Sequence, residues 1–337
     1  MDISDRKRLI LAAIVTMHQN SGDPVGSKSL LHFLDQLSVS SATLRNEMSE
    51  LTALGYLEQP HTSAGRVPTP MGVRFYIDNL MDRSPLKDSE KRYIDRAVAG
   101  LDKDPTKAAK ESAVLLSQMF GLASIASTPT GGNVQVIHYE LLRVGRYNIA
   151  VLAVTGAGSV LSRVARVTAE LTEAHLSQIE TVLNTDLAFV YPEDLTASLM
   201  RYVTTEFGDL SAAGRPILTA AAELLKETAT VETFSVGEQN LLHFRELDGS
   251  MKELLEFFSD SVKIRQFLEN DRSNVTVYIG GEDGDGYLDS VSIVAARYKA
   301  PGDRMGGLGI VGPTRLNYSY ILPRLSYFCR RLESVLE

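Results

Sequence analysis

The sequence predicts an α+β protein, with a helical segment and short hairpin at the N-terminus and, after it, a mixed region whose strands are interrupted by helices. Three observations carry this. From Ser38 to Tyr76 one helical apolar stripe, a glycine stop and a hairpin follow in succession. Strand-like runs lie at 134–142, 147–154 and 160–167 and return at 275–280, 291–298 and 308–311. Between them 173–188, 195–207 and 218–228 carry helical spacing. Strands on both sides of a helical block point to one α+β domain with an insertion.

In chain order, residues 5–20 form an amphipathic helix with Leu9, Ile10, Ala13, Ile14 and Met17 on one side. Arg6, Lys7 and Arg8 sit in its first turn, where cations oppose the helix dipole; a partner anion or plain solvation would account for them. A loop at 21–26 leads to a short helix over 27–34 that packs Leu30, Leu31 and Leu34 under the first. Val39, Ser40 and Ser41 then offer N-caps, Leu44, Met48 and Leu51 recur at helical spacing, and Gly55 closes the helix. Residues 56–59 read as a strand stopped by Pro60, with a polar tip at 61–66 and a return strand at 67–69. Helix, short helix, turn, helix and wing is the order of a winged helix-turn-helix.

That order assigns roles. Ser40, Ser41, Thr43, Arg45 and Asn46, near the N-terminal end of the third helix and off its apolar stripe, approach the major groove. Arg45 and Asn46 suit bidentate readout of guanine or adenine. For Arg45 the alternatives are a salt bridge to Glu50 or a solvated surface position. His61, Thr62, Ser63, Gly65 and Arg66 form the wing, Gly65 supplying a positive φ and Arg66 meeting a phosphate or a narrow minor groove. Lys28 contacts the DNA backbone.

Further on, 87–101 and 105–126 read as helices, the first charged and the second largely buried. A strand at 231–236, helices at 250–258 and 262–268 and a final helix at 318–335 complete the pattern.

The wording of the chain adds to its pattern. Pro24-Val25-Gly26-Ser27-Lys28, the run from Ser40 to Met48, the run from Leu54 to Thr69 and the run from Gly307 to Tyr318 resemble the bacterial heat-inducible transcription repressors of the HrcA family. The resemblance brackets nearly the whole chain. It implies a dimeric repressor that binds an inverted-repeat operator upstream of chaperone genes, with activity dependent on the GroE chaperonin. It also implies a GAF-like domain carrying an inserted dimerisation domain. The expected division is a winged helix-turn-helix at 1–84, a GAF-like domain at 85–167 and 245–337, and the dimerisation domain at 168–244. A regulator whose GAF-like domain senses a small molecule is the alternative.

Composition bounds these readings. The 337 residues suffice for two or three domains. No apolar run reaches the ~18 residues that a bilayer span needs, and the first helix is too polar for a secretory signal, so a cytoplasmic protein is expected. The single cysteine, Cys329, excludes an internal disulfide and reads as a buried thiol. Residues 1–84 carry eight Lys or Arg against nine Asp or Glu, and the remainder 26 against 33. The reading segment is therefore no basic patch, and specificity has to come from base contacts, dimer geometry and locally clustered cations.

Other motifs lack their setting. Residues 307–312 satisfy GxGxxG, but Pro313 follows and too little chain remains for a βαβ unit. The acidic glycine-rich run at 280–286 lacks calcium-loop spacing and reads as a solvated turn. The six histidines are scattered and no nucleophile elbow is present, so no metal, no cofactor and no enzyme activity are expected.

Overall fold

The computed structural model describes residues 3–34, 40–61, 64–130, 135–156, 158–228, 231–269, 275–280, 282, 288–302 and 304–337. The chain divides into two compact units, one of Met1–Thr128, Thr233–Tyr298 and Gly306–Glu337, the other of Pro129–Glu232 and Lys299–Met305.

The first unit opens with α1 (Asp5–Ser21), α2 (Ser27–Phe33), α3 (Ser41–Ala53), β1 (Leu57–Glu58), β2 (Val67–Pro68) and α4 (Pro70–Asn79). Three of these helices start at a hydroxyl that takes an otherwise unpaired amide: Ser4 accepts from Lys7, Ser40 from Thr43 and Thr69 from Gly72. Gly55, after α3, has φ 83, a conformation open to glycine at little cost. Ile10, Leu11 and Ile14 of α1, Leu30 of α2 and Leu44, Met48 and Leu51 of α3 share one core. The predicted α3 stripe is thus the buried one. On α1 the buried face takes in Leu11 and Val15, and Leu9, expected inside, is 53% exposed. The helix is contacted by α2, α3 and α4, which centres its buried face past Leu9. β1 and β2 pair antiparallel, Leu57 opposite Pro68.

Next come α5 (Asp88–Ala99), α6 (Pro105–Phe120) and β3 (Ala123–Thr130). The helix expected over 105–126 stops at Phe120, where Gly121 turns left-handed and donates to the Ser117 carbonyl. The apolar run continues as strand. Ala123, Ile125 and Ala126 are all fully buried, so no alternation marks the change of period.

The second unit holds β4 (Val136–Gly145), β5 (Asn148–Thr155) and β6 (Val160–Arg166), an antiparallel sheet in that order, with α7 (Glu173–Asp186), α8 (Ala197–Glu206) and α9 (Ser211–Glu227). Tyr139, Leu141, Ile149, Val151 and Ala153 point inward onto Leu176, Ile179 and Leu183 of α7 and Ile217, Ala221 and Leu224 of α9. The sequence reading gives 134–167 to the interrupted domain and begins the insertion at 168. In the structure these strands close a core with α7 and α9 and fall in the second unit, Pro129–Glu232 with Lys299–Met305.

The first unit resumes with β7 (Thr233–Val236), α10 (Met251–Ser259), α11 (Ser261–Leu268), β8 (Val275–Ile279), β9 (Val291–Ala300), β10 (Arg304–Pro313) and α12 (Tyr318–Leu336). Its five-stranded sheet has the order β7-β3-β10-β9-β8, with β7 antiparallel to β3 and β8 antiparallel to β9. The GxGxxG run lies inside β10. A Cβ on Gly307 would stand 2.6 Å from the Leu268 side chain and one on Gly309 2.8 Å from Ile125, so these glycines permit close packing. α12 packs on α5, and buried Arg324 forks onto Glu90 with two bonds of 2.7 Å. Cys329 is buried on α12, and desolvation pushes its thiol pKa up. Arg74 of α4 forks onto Glu282 at 2.8 and 2.7 Å and donates to the Val277 carbonyl at 2.5 Å.

Candidate nucleic-acid interface

A groove of about 490 Å³ runs between α2, α3 and the β1–β2 hairpin. Of the residues singled out from sequence, Lys28, Arg45, Gly65 and Arg66 line it. Lys28 and Arg45 are exposed, and among the described residues Arg45 makes no ion pair. The salt bridge between Arg45 and Glu50 does not form, because Glu50 pairs with Lys7 at 2.8 Å. Asn46 is exposed on the next position of α3.

The hydroxyls are used in building the helix. Ser40 Oγ accepts the Thr43 amide at 3.1 Å and lies 3.0 Å from the Thr43 hydroxyl. Ser41 Oγ lies 3.1 Å from Ser27 Oγ and so ties α2 to the start of α3. On the hairpin, the His61 carbonyl accepts from the Ala64 amide at 2.8 Å and His61 is exposed. Thr62 and Ser63 lie outside the described residues. Gly65 is not among the positive-φ glycines. A Cβ there would stand 2.4 Å from the Val25 carbonyl, so close backbone approach is what demands glycine. Arg66 is half-buried just before β2 and its Nε donates to Thr52 Oγ1 at 3.0 Å.

Sequence reasoning missed Ser27, Met48 and Gln59, which also line the groove. Gln59 Nε2 donates to the Ala64 carbonyl at 3.0 Å, closing the hairpin tip. The x-Pro turn after Gln59 was the only local signal.

Charge is sorted more sharply than the segment's net balance suggests. Among the described residues, three cations and no carboxylate line the groove. Glu47 of α3 is buried and held by Arg6, whose Nε donates at 2.7 Å, with Lys7 at 3.6 Å. Lys7 also bonds Glu50, which lowers the carboxyl pKa and raises that of the ammonium. Arg6 and Lys7, read from sequence as awaiting an anion or solvated, thus fasten α1 to α3. They also draw the acidic groups of α3 into internal pairs.

A family model described as the HrcA protein C terminal domain matches residues 106–322. The heat-inducible transcription repressor HrcA of Moorella thermoacetica is 32% identical over 346 residues, covering 100% of this chain and 99% of the relative. The chain belongs to the HrcA family. The heat-inducible transcription repressor HrcA of Clostridium botulinum, strain Eklund 17B, is 30% identical over 344 residues, covering 100% and 98%. A solved structure described as that of a hypothetical protein shares 24% identity with this HrcA-family chain, covers 99% of both and superposes with a TM-score of 0.67, a likeness of fold. HrcA-family proteins are transcription repressors and not enzymes.

The GxGxxG run is buried strand. Glu282 serves Arg74, while residues 281 and 283–286 of the acidic run lie outside the described residues. Among the described residues no cluster of His, Cys, Asp or Glu could hold a metal ion, and no helix is long and apolar enough to cross a membrane.

Proposed function

We propose that this chain represses heat-shock chaperone genes by binding an inverted-repeat operator as a dimer. In this reading residues 1–84 are a winged helix-turn-helix, α3 enters the major groove, and β1–β2 is the wing. The groove that Lys28, Arg45 and Arg66 line, with no carboxylate among its described residues, carries the reading, because a duplex presents a dense row of phosphates to whatever surface meets it. Arg45 and Asn46 read bases, and Lys28 meets the backbone.

Dimerisation belongs to the inserted unit. One face of its sheet covers α7 and α9; the other leaves Leu142 at 45%, Val160 at 60% and Val164 at 60% exposure. The register sets Leu142 beside Ala150 and Ala150 beside Val164, a continuous apolar row across three strands. A second copy supplies a matching surface, and two reading heads match an inverted repeat. The sheet-bearing remainder of the first unit is the GAF-like domain, and the GroE chaperonin sets the fraction of active repressor.

The test is fluorescence anisotropy of the full chain on a labelled inverted-repeat duplex and on one with a scrambled half-site, with and without chaperonin. Tight binding lost on scrambling is expected, and chaperonin should raise the active fraction. Equal binding to both duplexes in both conditions would sink the reading.

A further inference from the structure

Arg66 stands at a junction. Its amide donates to the Val25 carbonyl at 2.9 Å and its carbonyl accepts from the Val25 amide at 2.8 Å, which stitches the hairpin to the loop before α2. Its side chain turns the other way. Nε donates to Thr52 Oγ1 at 3.0 Å, and the Thr52 hydroxyl spends its one proton on the Met48 carbonyl at 2.9 Å. A hydroxyl has one donor and two acceptor sites, so the chain Arg66 to Thr52 to Met48 has a fixed direction and leaves Thr52 as acceptor toward the guanidinium. Gly65 lies too close to Val25 for any side chain, so glycine is what lets the segment before Arg66 approach the loop before α2.

We infer that Thr52 is a positioning residue for DNA recognition, holding Arg66, and through Arg66 the wing, at a fixed angle to α3. This rests on the DNA-reading role proposed above and adds to it that Arg66 works through α3 more than through a phosphate. One charge-assisted bond thus ties the wing to α3 at Thr52, about two turns along the helix from Arg45, while Arg66 itself lines the groove.

The test measures operator affinity and its salt slope for the full chain carrying Thr52→Val, Thr52→Ser, Arg66→Ala and the Thr52→Val/Arg66→Ala pair. Thr52→Val, which keeps shape and removes the acceptor, should lose about tenfold in affinity, the scale of one charge-assisted bond. Its salt slope should match wild type, since no phosphate contact is lost, and Thr52→Ser should bind as wild type. The double variant should lose no more than Arg66→Ala alone, the mark of two groups acting as one. Wild-type affinity for Thr52→Val, additive losses, or a Thr52→Ser as weak as Thr52→Val overturns the inference, as does a slope reduced by about one in Arg66→Ala alone. A wild-type chain that ignores the inverted repeat overturns the DNA reading and this inference together, so the two failures are told apart.

Discussion

Arg45 has a planar fork of donors, an exposed position on α3 and, among the described residues, no carboxylate paired with it. Lys28, across the groove, is a point charge on a flexible stem. The two should fail differently. Arg45→Ala should cost about 1–3 kcal/mol of discrimination at one base pair while other positions keep theirs. Lys28→Ala should weaken binding to every duplex alike and reduce the salt slope by about one. Affinities on a panel of singly substituted operators at two salt concentrations measure both, and equal sequence-blind losses would contradict the assignment. Arg45 and Asn46 were legible because helical spacing alone places them off the apolar stripe of Leu44, Met48 and Leu51. The anchoring of Arg66 was not, because its partner Thr52 lies fourteen residues back and meets it through the turn of the hairpin.

Between elements, the α5–α12 contact is held by a buried cation. Arg324 lies over the Tyr320 ring, donates to the Ser84 carbonyl at 3.3 Å and takes both oxygens of Glu90. The Arg324 guanidinium, with a backbone bond from Lys87 behind it, holds the Glu90 carboxyl below the usual carboxylate range. A carboxyl depressed in the folded state stabilises above its unfolded pKa, and that contribution drains away as pH falls through the folded value. Glu90→Gln should therefore destabilise the chain by about 2 kcal/mol at neutral pH. It should also flatten the acid limb of stability, read as urea midpoints from pH 7 to 3. An unchanged midpoint at pH 7 would show the fork to be idle. The elements themselves were mostly legible, strands by alternation and helices by stripe. The exception, β3, shows why some are not: Ser124 and Ser127 are as buried as Ala123 and Ile125, so the strand has no polar face to announce it. The partners of β4, β5 and β6 were hidden for a related reason. Local alternation fixes that β4, β5 and β6 are strands, whereas their choice of α7 and α9 as partners is a matter of packing between distant segments.

For the whole molecule, the proposed dimer rests on the exposed apolar row of the second unit, Leu142, Ala150 and Val164. Val164→Glu places a charge in the apolar row beside Ala150, where a second copy would have to bury it. The mass in solution should fall from twice 36.9 kDa to 36.9 kDa, and operator affinity should drop at least about tenfold as one half-site is lost. Light scattering and anisotropy on the same sample check this; a variant still dimeric would move the interface elsewhere. The way this unit is spliced in has its own consequence. The chain departs from β3 and returns on β7, its antiparallel neighbour, with Ser127 opposite Thr233, so the two ends of the excursion are one strand spacing apart. Closing a loop of about a hundred residues costs roughly 3 kcal/mol more entropy than closing a tight turn of about four. An excursion that folds on itself draws its ends together first and removes most of that penalty. Should the excursion melt, the closure cost returns and falls on the pairing of β7 with β3.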